Sequence, residues 1–489
     1  MVKKWFFSVL KFLFSLKKGF GMVFSSLQFI FIFIPLFLSG YYLLPLKWRN
    51  LFLFISSVIF YSVGAIDSPV YILLILASVF VNYSISRLMV KFPNKKKLFL
   101  ILGIIYNFLW LGLFKYSDFL LSNINELLSF IPSFDIPLPN FILPIGISFY
   151  TFQAVSYIAD VYKGTTSPAD SFIDFGAYLC MFPQLIAGPI VTYPEVAERL
   201  RKRSFSFTDF SDGWKTFILG LGFKVLIANP MGKLWGSLSV IGYESISTPF
   251  AWLGILGYTL QIYFDFYGYS VMALGLGKMI GFNFPDNFKR PYVSVSITEF
   301  WRRWHITLGS WFREYLYFPL GGSRGGKYKT VRNLLIVWLS TGLWHGASWN
   351  FVIWGLIFFI LLSLEKLFYK DFLEKHRAVG HLYTLFIIPL TWAVFAITDF
   401  TSLKIFFCRL FPFLGRTDGV IYPLDFLEPL KDYWPILLIG IIGSTGIIEG
   451  LFKKFKNHPI TAGILAAIFL GAVYCMHLGL DDPFLYFRF

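Results

Sequence analysis

The stretch Glu299–Gly355 reads EFWRRWHITLGSWFREYLYFPLGGSRGGKYKTVRNLLIVWLSTGLWHGASWNFVIWG, and its reading decides the fold. Two of the six histidines, His305 and His345, fall inside it. Arg302, Arg303, Arg313 and Glu314 accompany the first of them, and the flanking segments are too apolar for an ordinary protein surface. Charged and titratable groups in such a setting either leave a bilayer or line a protected space within it. Ionisable groups inside a membrane are costly and are functional suspects for that reason.

The surrounding chain fits this setting. Of its 489 residues 56% are hydrophobic and only 14% charged, with a mean hydropathy of +0.66; an ordinary soluble chain carries about 25% charged residues. The runs Met22–Leu44, Val70–Ser86, Leu98–Phe114 and Ile460–Gly479 are almost free of charge. Each is long enough, or nearly so, to cross a hydrocarbon core about 30 Å thick. The sequence therefore predicts an all-α polytopic membrane protein of about ten to twelve transmembrane helices, some of them re-entrant or broken. A β-barrel is excluded, because it needs alternating segments of about ten residues.

The net charge of +16 does not point to nucleic acid. The basic residues cluster at the ends of apolar runs: Lys91 with Lys95–Lys97, Arg199–Arg203, Arg324 to Arg332, and Lys453–Lys456. That is the pattern of cytoplasmic loops under the positive-inside rule, and it favours anionic lipid. Cys180, Cys408 and Cys475 stand far apart in apolar contexts and read as buried small hydrophobes. No CxxC, HxxH or HExxH spacing points to a metal.

Residues 1–20 place Lys4, Lys11 and Lys18 seven apart among bulky apolar groups, which predicts an amphipathic helix lying in the interface. Residues 21–489 read as one membrane-embedded domain with its catalytic region at about 140–360. Spanning candidates lie at about 23–45, 50–65, 69–89, 98–115, 213–229, 250–281, 331–363, 382–400, 434–452 and 460–480, with a polar connection at 116–140. The basic N-terminus and the basic loop at 91–97 make opposite demands on orientation, so the side of the N-terminus stays open. Tyr150, Gln153, Tyr157 and Asp160 follow one another at intervals of three, four and three. They share a helical face that belongs in the protein interior or against water. The prolines and Gly-Pro of FPQLIAGPIVTYPE (182–195) break any continuous helix, and the freed backbone must be buried in protein or line a cavity. Asp265, inside an apolar run, must face away from lipid.

Histidine is the side chain best suited to taking a proton near neutral pH. His345 lies between Gly342 and Gly346, a spacing that lets helices approach closely, with Trp344 and Trp349 nearby. Spacing alone leaves two readings open: a base that activates a hydroxyl for attack on an acyl carbonyl, or a packed imidazole bonded to a backbone carbonyl. Arg302 and Arg303 beside His305 suit either a phosphate-bearing donor or the head-group level of an interfacial helix. The loop Gly321–Gly326 lacks the GxxxxGK[ST] pattern and reads as a flexible turn.

Several ordered motifs together resemble a known family. They are LPIGISFYTFQAVSYIADVYKG (143–164), FPQLIAGPIVTYPE (182–195), FYGYSVMALGLGKMIGFNFPDNFKRPY (266–292), TEFWRRWHITLGSWFREYLYFPLGG (298–322), LSTGLWHGASWNFVIWG (339–355) and the terminal PFLYFRF. The sequence is similar to the membrane-bound O-acyltransferases of the bacterial alginate O-acetyltransferase type. The resemblance implies catalytic roles for His345 and His305, and a multi-pass protein of the bacterial cytoplasmic membrane. It implies no bound cofactor, but a cytoplasmic acyl donor such as acetyl-CoA or another acyl thioester. It implies an exported polysaccharide or peptidoglycan as acceptor, reached directly or through an extracytoplasmic hydrolase-like partner. Arg302, Arg303, Tyr150, Gln153 and Asp265 are then candidates for substrate binding or for lining a tunnel. A transporter or flippase of lipid-linked sugars, or a scaffold for a secreted enzyme, would use the same polar stripes and broken helices differently.

Overall fold

A computed structural model describes residues 23–66, 68–131, 134–186, 188–415, 419–479 and 485. The expected interfacial helix at 1–20 and most of the terminal PFLYFRF motif lie outside the described residues. The chain is 77% helical and has no strand among the described residues, so it is the all-α membrane protein that its hydropathy demands. Six of the described helices are long and apolar enough to cross a bilayer, or seven if one bent pair counts as a span. Backbone contacts divide the chain into two compact units: Met1–Phe210 with Gly277–Asn283, and Ser211–Leu276 with Phe284–Phe489.

The first unit contains α1 (Ile34–Leu43), α2 (Leu46–Gly64), α3 (Val70–Lys91), α4 (Lys96–Leu127), α5 (Ile147–Lys163), α6 (Phe172–Leu179) and α7 (Tyr193–Arg201). The connection expected at 116–140 is in its first half a continuation of α4. No glycine or proline lies between Gly112 and the helix end at Leu127, so backbone hydrogen bonding runs on past the apolar run. Asn82 of α3 and Asn107 of α4 join their amides reciprocally, at 3.1 and 2.7 Å, inside the apolar contact. Such polar pairs hold helices together where lipid offers no hydrophobic drive.

Helix α5 is bracketed by Gly146 and Gly164, both left-handed with φ of 72° and 77°. A Cβ on Gly146 would also lie 2.6 Å from the Leu185 carbonyl oxygen, so only glycine fits there. The proline-broken segment after α6 is buried, and side chains satisfy its freed backbone groups. The Tyr178 hydroxyl donates to the Val191 carbonyl (2.9 Å), the Gln184 amide to the Tyr178 carbonyl (2.6 Å), and the Phe182 N–H to the Ser57 hydroxyl (3.1 Å).

The second unit is built from α8 (Phe207–Gly222), which enters it from the first unit, and α9 (Asn229–Ile241), α10 (Thr248–Met279), α11 (Ile297–Arg303) and α12 (Ile306–Phe312). It continues with α13 (Gly326–His345), α14 (Trp349–Leu364), α15 (Arg377–Ala396), α16 (Phe400–Leu410), α17 (Leu427–Ser444), α18 (Ile447–Phe455) and α19 (Pro459–His477). Glycines let α8 and α10 touch backbone to backbone: a Cβ on Gly220 would sit 2.6 Å from the Gly268 carbonyl oxygen, and one on Gly275 2.6 Å from that of Gly213.

Two apolar runs that read as single spans are each two helices. The run at 434–452 bends by 71° between α17 and α18, at Gly446, whose φ is +84°. The run at 331–363 is a hairpin. Gly346 and Ser348 are extended, with φ of −165° and −154°, and α14 folds back along α13. Gly342 and Gly355 face each other across the contact, and a Cβ on Gly355 would lie 2.5 Å from the Trp338 carbonyl oxygen. A hydropathy window cannot see this turn, because Gly-Ala-Ser interrupts helicity without adding charge.

Asp265 of α10 forms an ion pair with Lys224, both side chains 3% exposed, and its carboxylate accepts the Leu485 N–H at 2.7 Å. Breaking one side of a buried pair costs about 3–5 kcal/mol, because the remaining charge is left alone; replacing both partners by apolar groups is often neutral. Asp265→Leu is therefore expected to lower the melting temperature of the purified protein steeply, and the double variant Lys224→Met/Asp265→Leu to recover most of the loss. Equal losses in both variants would contradict this account of the pair.

Candidate active site

The site is built where α11, α12 and the α13–α14 hairpin meet. The start of α11 is fixed from below its first turn by Glu365, a fully buried carboxylate at the end of α14. It accepts from the Ile297 N–H (2.6 Å), the Thr298 N–H (2.8 Å) and the Thr298 hydroxyl (2.6 Å). A carboxylate on the free N–H groups of a helix start is a strong, charge-assisted anchor. Arg303 closes the other end. Its guanidinium donates to Glu299 at 3.0 and 2.7 Å and to the Lys289 carbonyl at 3.2 Å, while Glu299 also accepts the Val295 N–H at 2.9 Å. Arg303 thus ties α11 to the loop that precedes it. Arg302 is exposed.

His305 is the hinge between α11 and α12, with φ 44° and ψ 53°. A non-glycine residue held left-handed costs of order 1–3 kcal/mol and persists only where its surroundings over-determine it. Here they do. Asn287 accepts the Ile306 N–H through its backbone carbonyl (2.9 Å). Its side-chain Oδ1 lies 3.1 Å from His305 Nδ1 and also accepts from the Thr307 N–H (3.3 Å) and hydroxyl (2.9 Å). The Phe266 ring stands edge-on to the imidazole at 4.6 Å. Asn287 was not singled out among the candidate residues, although it lies inside the FPDNFKRPY motif. Its burial, at 1% exposure, is visible only in the structure.

His345 ends α13, at the turn of the hairpin. The Trp344 ring touches both imidazoles, with centroids 5.9 Å from His305 and 5.1 Å from His345. Trp354 and Phe395 pack edge-on against His345 at 5.0 and 5.3 Å. Around them Trp304 meets Trp392 at 4.9 Å and Trp301 meets Trp338 at 4.9 Å. Both histidines are buried, at 1% and 4% exposure. The structure thus brings the two histidines, 40 residues apart in sequence, into contact with one indole. Helices α11 and α12, seven residues each, are too short to cross a bilayer. At their junction burial pushes the His305 imidazole down to about 3, so it is neutral at physiological pH.

Tyr150 and Gln153 belong to the first unit, on the buried face of α5. Tyr157, on the same face, is structural: its hydroxyl donates to Ser86 (2.8 Å) and accepts the Ala169 N–H (2.9 Å). The Tyr150 hydroxyl and both ends of the Gln153 amide have no protein hydrogen-bond partner. An unsatisfied buried polar group costs about 1–3 kcal/mol, so these atoms add nothing to the stability of the fold. Asp265 is committed to Lys224 and to the backbone of Leu485. Among the described residues no group of three His, Cys, Asp or Glu side chains could hold a metal ion.

An all-α polytopic membrane protein with paired buried histidines in an aromatic cage is the class that fold and site define. Residues 167–407 match the membrane-bound O-acyltransferase family. The chain is 39% identical over 445 residues to a protein of Azotobacter vinelandii named probable alginate O-acetylase, covering 90% of this chain and 87% of that one. It is 43% identical over 349 residues to the protein of the same name in Pseudomonas aeruginosa, covering 71% and 66%. It is 34% identical over 429 residues to the peptidoglycan O-acetyltransferase of Helicobacter pylori, covering 79% of each. The chain belongs to the membrane-bound O-acyltransferase family and is a multi-pass membrane O-acyltransferase.

Two outcomes follow from this geometry. The unfolded chain binds a proton at His305 near its ordinary value of 6.5, which the folded chain refuses until about 3. Stability from this group is therefore complete above about pH 6.5 and is lost as the pH falls below it. His305→Gln is expected to flatten the fall of melting temperature between about pH 7 and pH 5, and an unchanged slope would contradict the burial argument. Gln153→Met replaces an unpaired amide by an apolar group of similar size. It is expected to leave stability unchanged or raise it by about 1 kcal/mol while lowering acyl transfer. A large loss of melting temperature would show that the amide supports the fold.

Proposed function

We propose that this enzyme transfers an acyl group, acetyl in the first place, from an acyl thioester such as acetyl-CoA on the cytoplasmic side towards hydroxyls of an exported polysaccharide or of peptidoglycan. The bacterial cytoplasmic membrane is its seat in this reading. The acyl group reaches the polymer directly or through an extracytoplasmic partner that accepts and passes it on. The observation that carries the proposal is the convergence of His305 and His345 on the Trp344 ring, inside a cage that excludes water. The names of the relatives, alginate O-acetylase and peptidoglycan O-acetyltransferase, support the substrate class.

In this reading His345 is the general base. Its imidazole takes the proton of the acceptor hydroxyl as the oxygen attacks the acyl carbon. The C–O bond forms, the C–S bond breaks, and the departing thiolate recovers the proton from the imidazolium. Arg302, exposed beside the site, is the candidate contact for an anionic donor, since the guanidinium of Arg303 is engaged by Glu299 and the Lys289 carbonyl. Tyr150 and Gln153, with hydroxyl and amide unpaired, are candidate substrate contacts in the first unit. Transport of lipid-linked sugars has no observation of its own in its favour.

The test is the O-acetyl content of the exported glycans in a deletion strain complemented with wild type or His345→Ala. Ester is expected to disappear on deletion, return with wild type, and stay at least ~100-fold lower with a normally expressed His345→Ala, as loss of general-base catalysis requires. Equal rescue by both forms would remove His345 from the chemistry.

A further inference from the structure

The hydrogen bonds around Asn287 specify more than the place of His305: they specify which of its ring nitrogens carries the hydrogen. A side-chain amide can be turned end for end without changing its shape, so its orientation has to be argued from its partners. One partner here is a backbone N–H, that of Thr307, which can only donate. The Asn287 atom it meets must therefore be the oxygen. The other end of the amide donates to the Ser270 hydroxyl at 3.2 Å, which agrees. An amide oxygen only accepts, so His305 Nδ1, 3.1 Å from the same oxygen, must be the protonated nitrogen. In a neutral imidazole this leaves the lone pair on Nε2. That atom is buried and has no protein hydrogen-bond partner, in a ring flanked by Phe266 and Trp344.

We propose that Asn287 is a positioning residue that holds His305 in the Nδ1–H tautomer, so that Nε2 accepts a hydrogen bond from a neutral donor on a substrate, a hydroxyl or an amide N–H. The inference rests on the reading of His305 as part of the acyl-transfer site, and it assigns the residue a definite half of the chemistry. A bare Nε2 cannot donate to a developing oxyanion, so His305 orients a neutral hydrogen-bond donor and leaves oxyanion stabilisation to other groups. The same network explains the left-handed backbone. Asn287 holds the two residues that follow the hinge, through the Ile306 N–H and the Thr307 N–H and hydroxyl, while the Lys289 N–H holds the preceding side by bonding to the Arg303 carbonyl at 2.9 Å. The asparagine therefore sets both the direction of the ring and its tautomer. His345 sits at the turn of a different pair of helices and does not share this network.

Nitrogen-15 solid-state NMR of the full-length protein in liposomes, with labelled histidine, reads the tautomer directly; a His305→Gln sample assigns the signals. At about pH 7.5 His305 is expected to show a protonated Nδ1 and a bare Nε2. Asn287→Leu removes the acceptor and is expected to lose this preference and to lower O-acetyl transfer by roughly 10²-fold, the scale of a misplaced group in a reaction centre. Asn287→Asp keeps an oxygen in the same place and is expected to keep the tautomer and regain most of the transfer. A wild-type spectrum with hydrogen on Nε2, full activity in Asn287→Leu, or equal failure of Leu and Asp variants that both fold would each overturn the proposal. The wild-type spectrum needs no variant to fold. If the tautomer is as proposed but His305→Gln transfers acetyl at the wild-type rate, the geometry stands and the reading of His305 as part of the reaction centre fails.

Discussion

The arrangement depends most on the close approach of α13 and α14. Gly342 and Gly355 let the two backbones meet without intervening side chains. In a medium as apolar as the side chains themselves, helices gain little from burying leucine; close backbone packing and satisfied polar groups do the work instead. That contact turns one apolar run into a hairpin and sets His345 at its turn. It also brings Trp338 and Trp354 close, at 6.3 Å, into the aromatic cage. Without the hairpin His345 would be one more residue along a straight helix, with no reason to stand beside a segment 40 residues earlier.

Around this contact the chain meets one constraint repeatedly: a polar group away from water needs a partner inside the protein. Glu365 answers the free N–H groups of α11, Lys224 answers Asp265, Asn82 and Asn107 answer each other, and Tyr178 and Gln184 satisfy a segment that prolines have broken. Not every buried side-chain polar atom has one. The Gln153 amide, the Tyr150 hydroxyl and the Nε2 of His305 are buried with no protein partner.

The two histidines receive different surroundings. His305 is held by a polar network on one side of its ring and by Phe266 on another; His345 is walled by Trp344, Trp354 and Phe395. The first ring is held by hydrogen bonds through Asn287, and the second is packed among three aromatic rings. In a reaction that must align a hydroxyl with an acyl carbon, an orienting acceptor and a proton-taking base are distinct tasks. The family gives the reaction class, and the two rings differ in what surrounds them.

Much of this was legible in the sequence, because composition and hydropathy act locally. Runs of apolar residues fixed the all-α membrane class. Prolines and Gly-Pro marked the break at 182–195, and the motifs around His305 and His345 marked the family and the residues to watch. What the sequence could not give were relations between segments. The hairpin at Gly346 hides inside a run of uniform hydropathy, and the extension of α4 to Leu127 lies beyond where the apolar signal fades. The sequence left Arg303 open between a phosphate-bearing donor and the head-group level, and only the folded chain shows its guanidinium on Glu299 and the Lys289 carbonyl. Asn287 and Glu365, 18 and 60 residues from His305, carry no local signature of their roles. Hydrophobicity is a property each residue carries along the chain. A hydrogen bond between distant residues exists only once packing has chosen which helices meet, and that choice belongs to the tertiary structure.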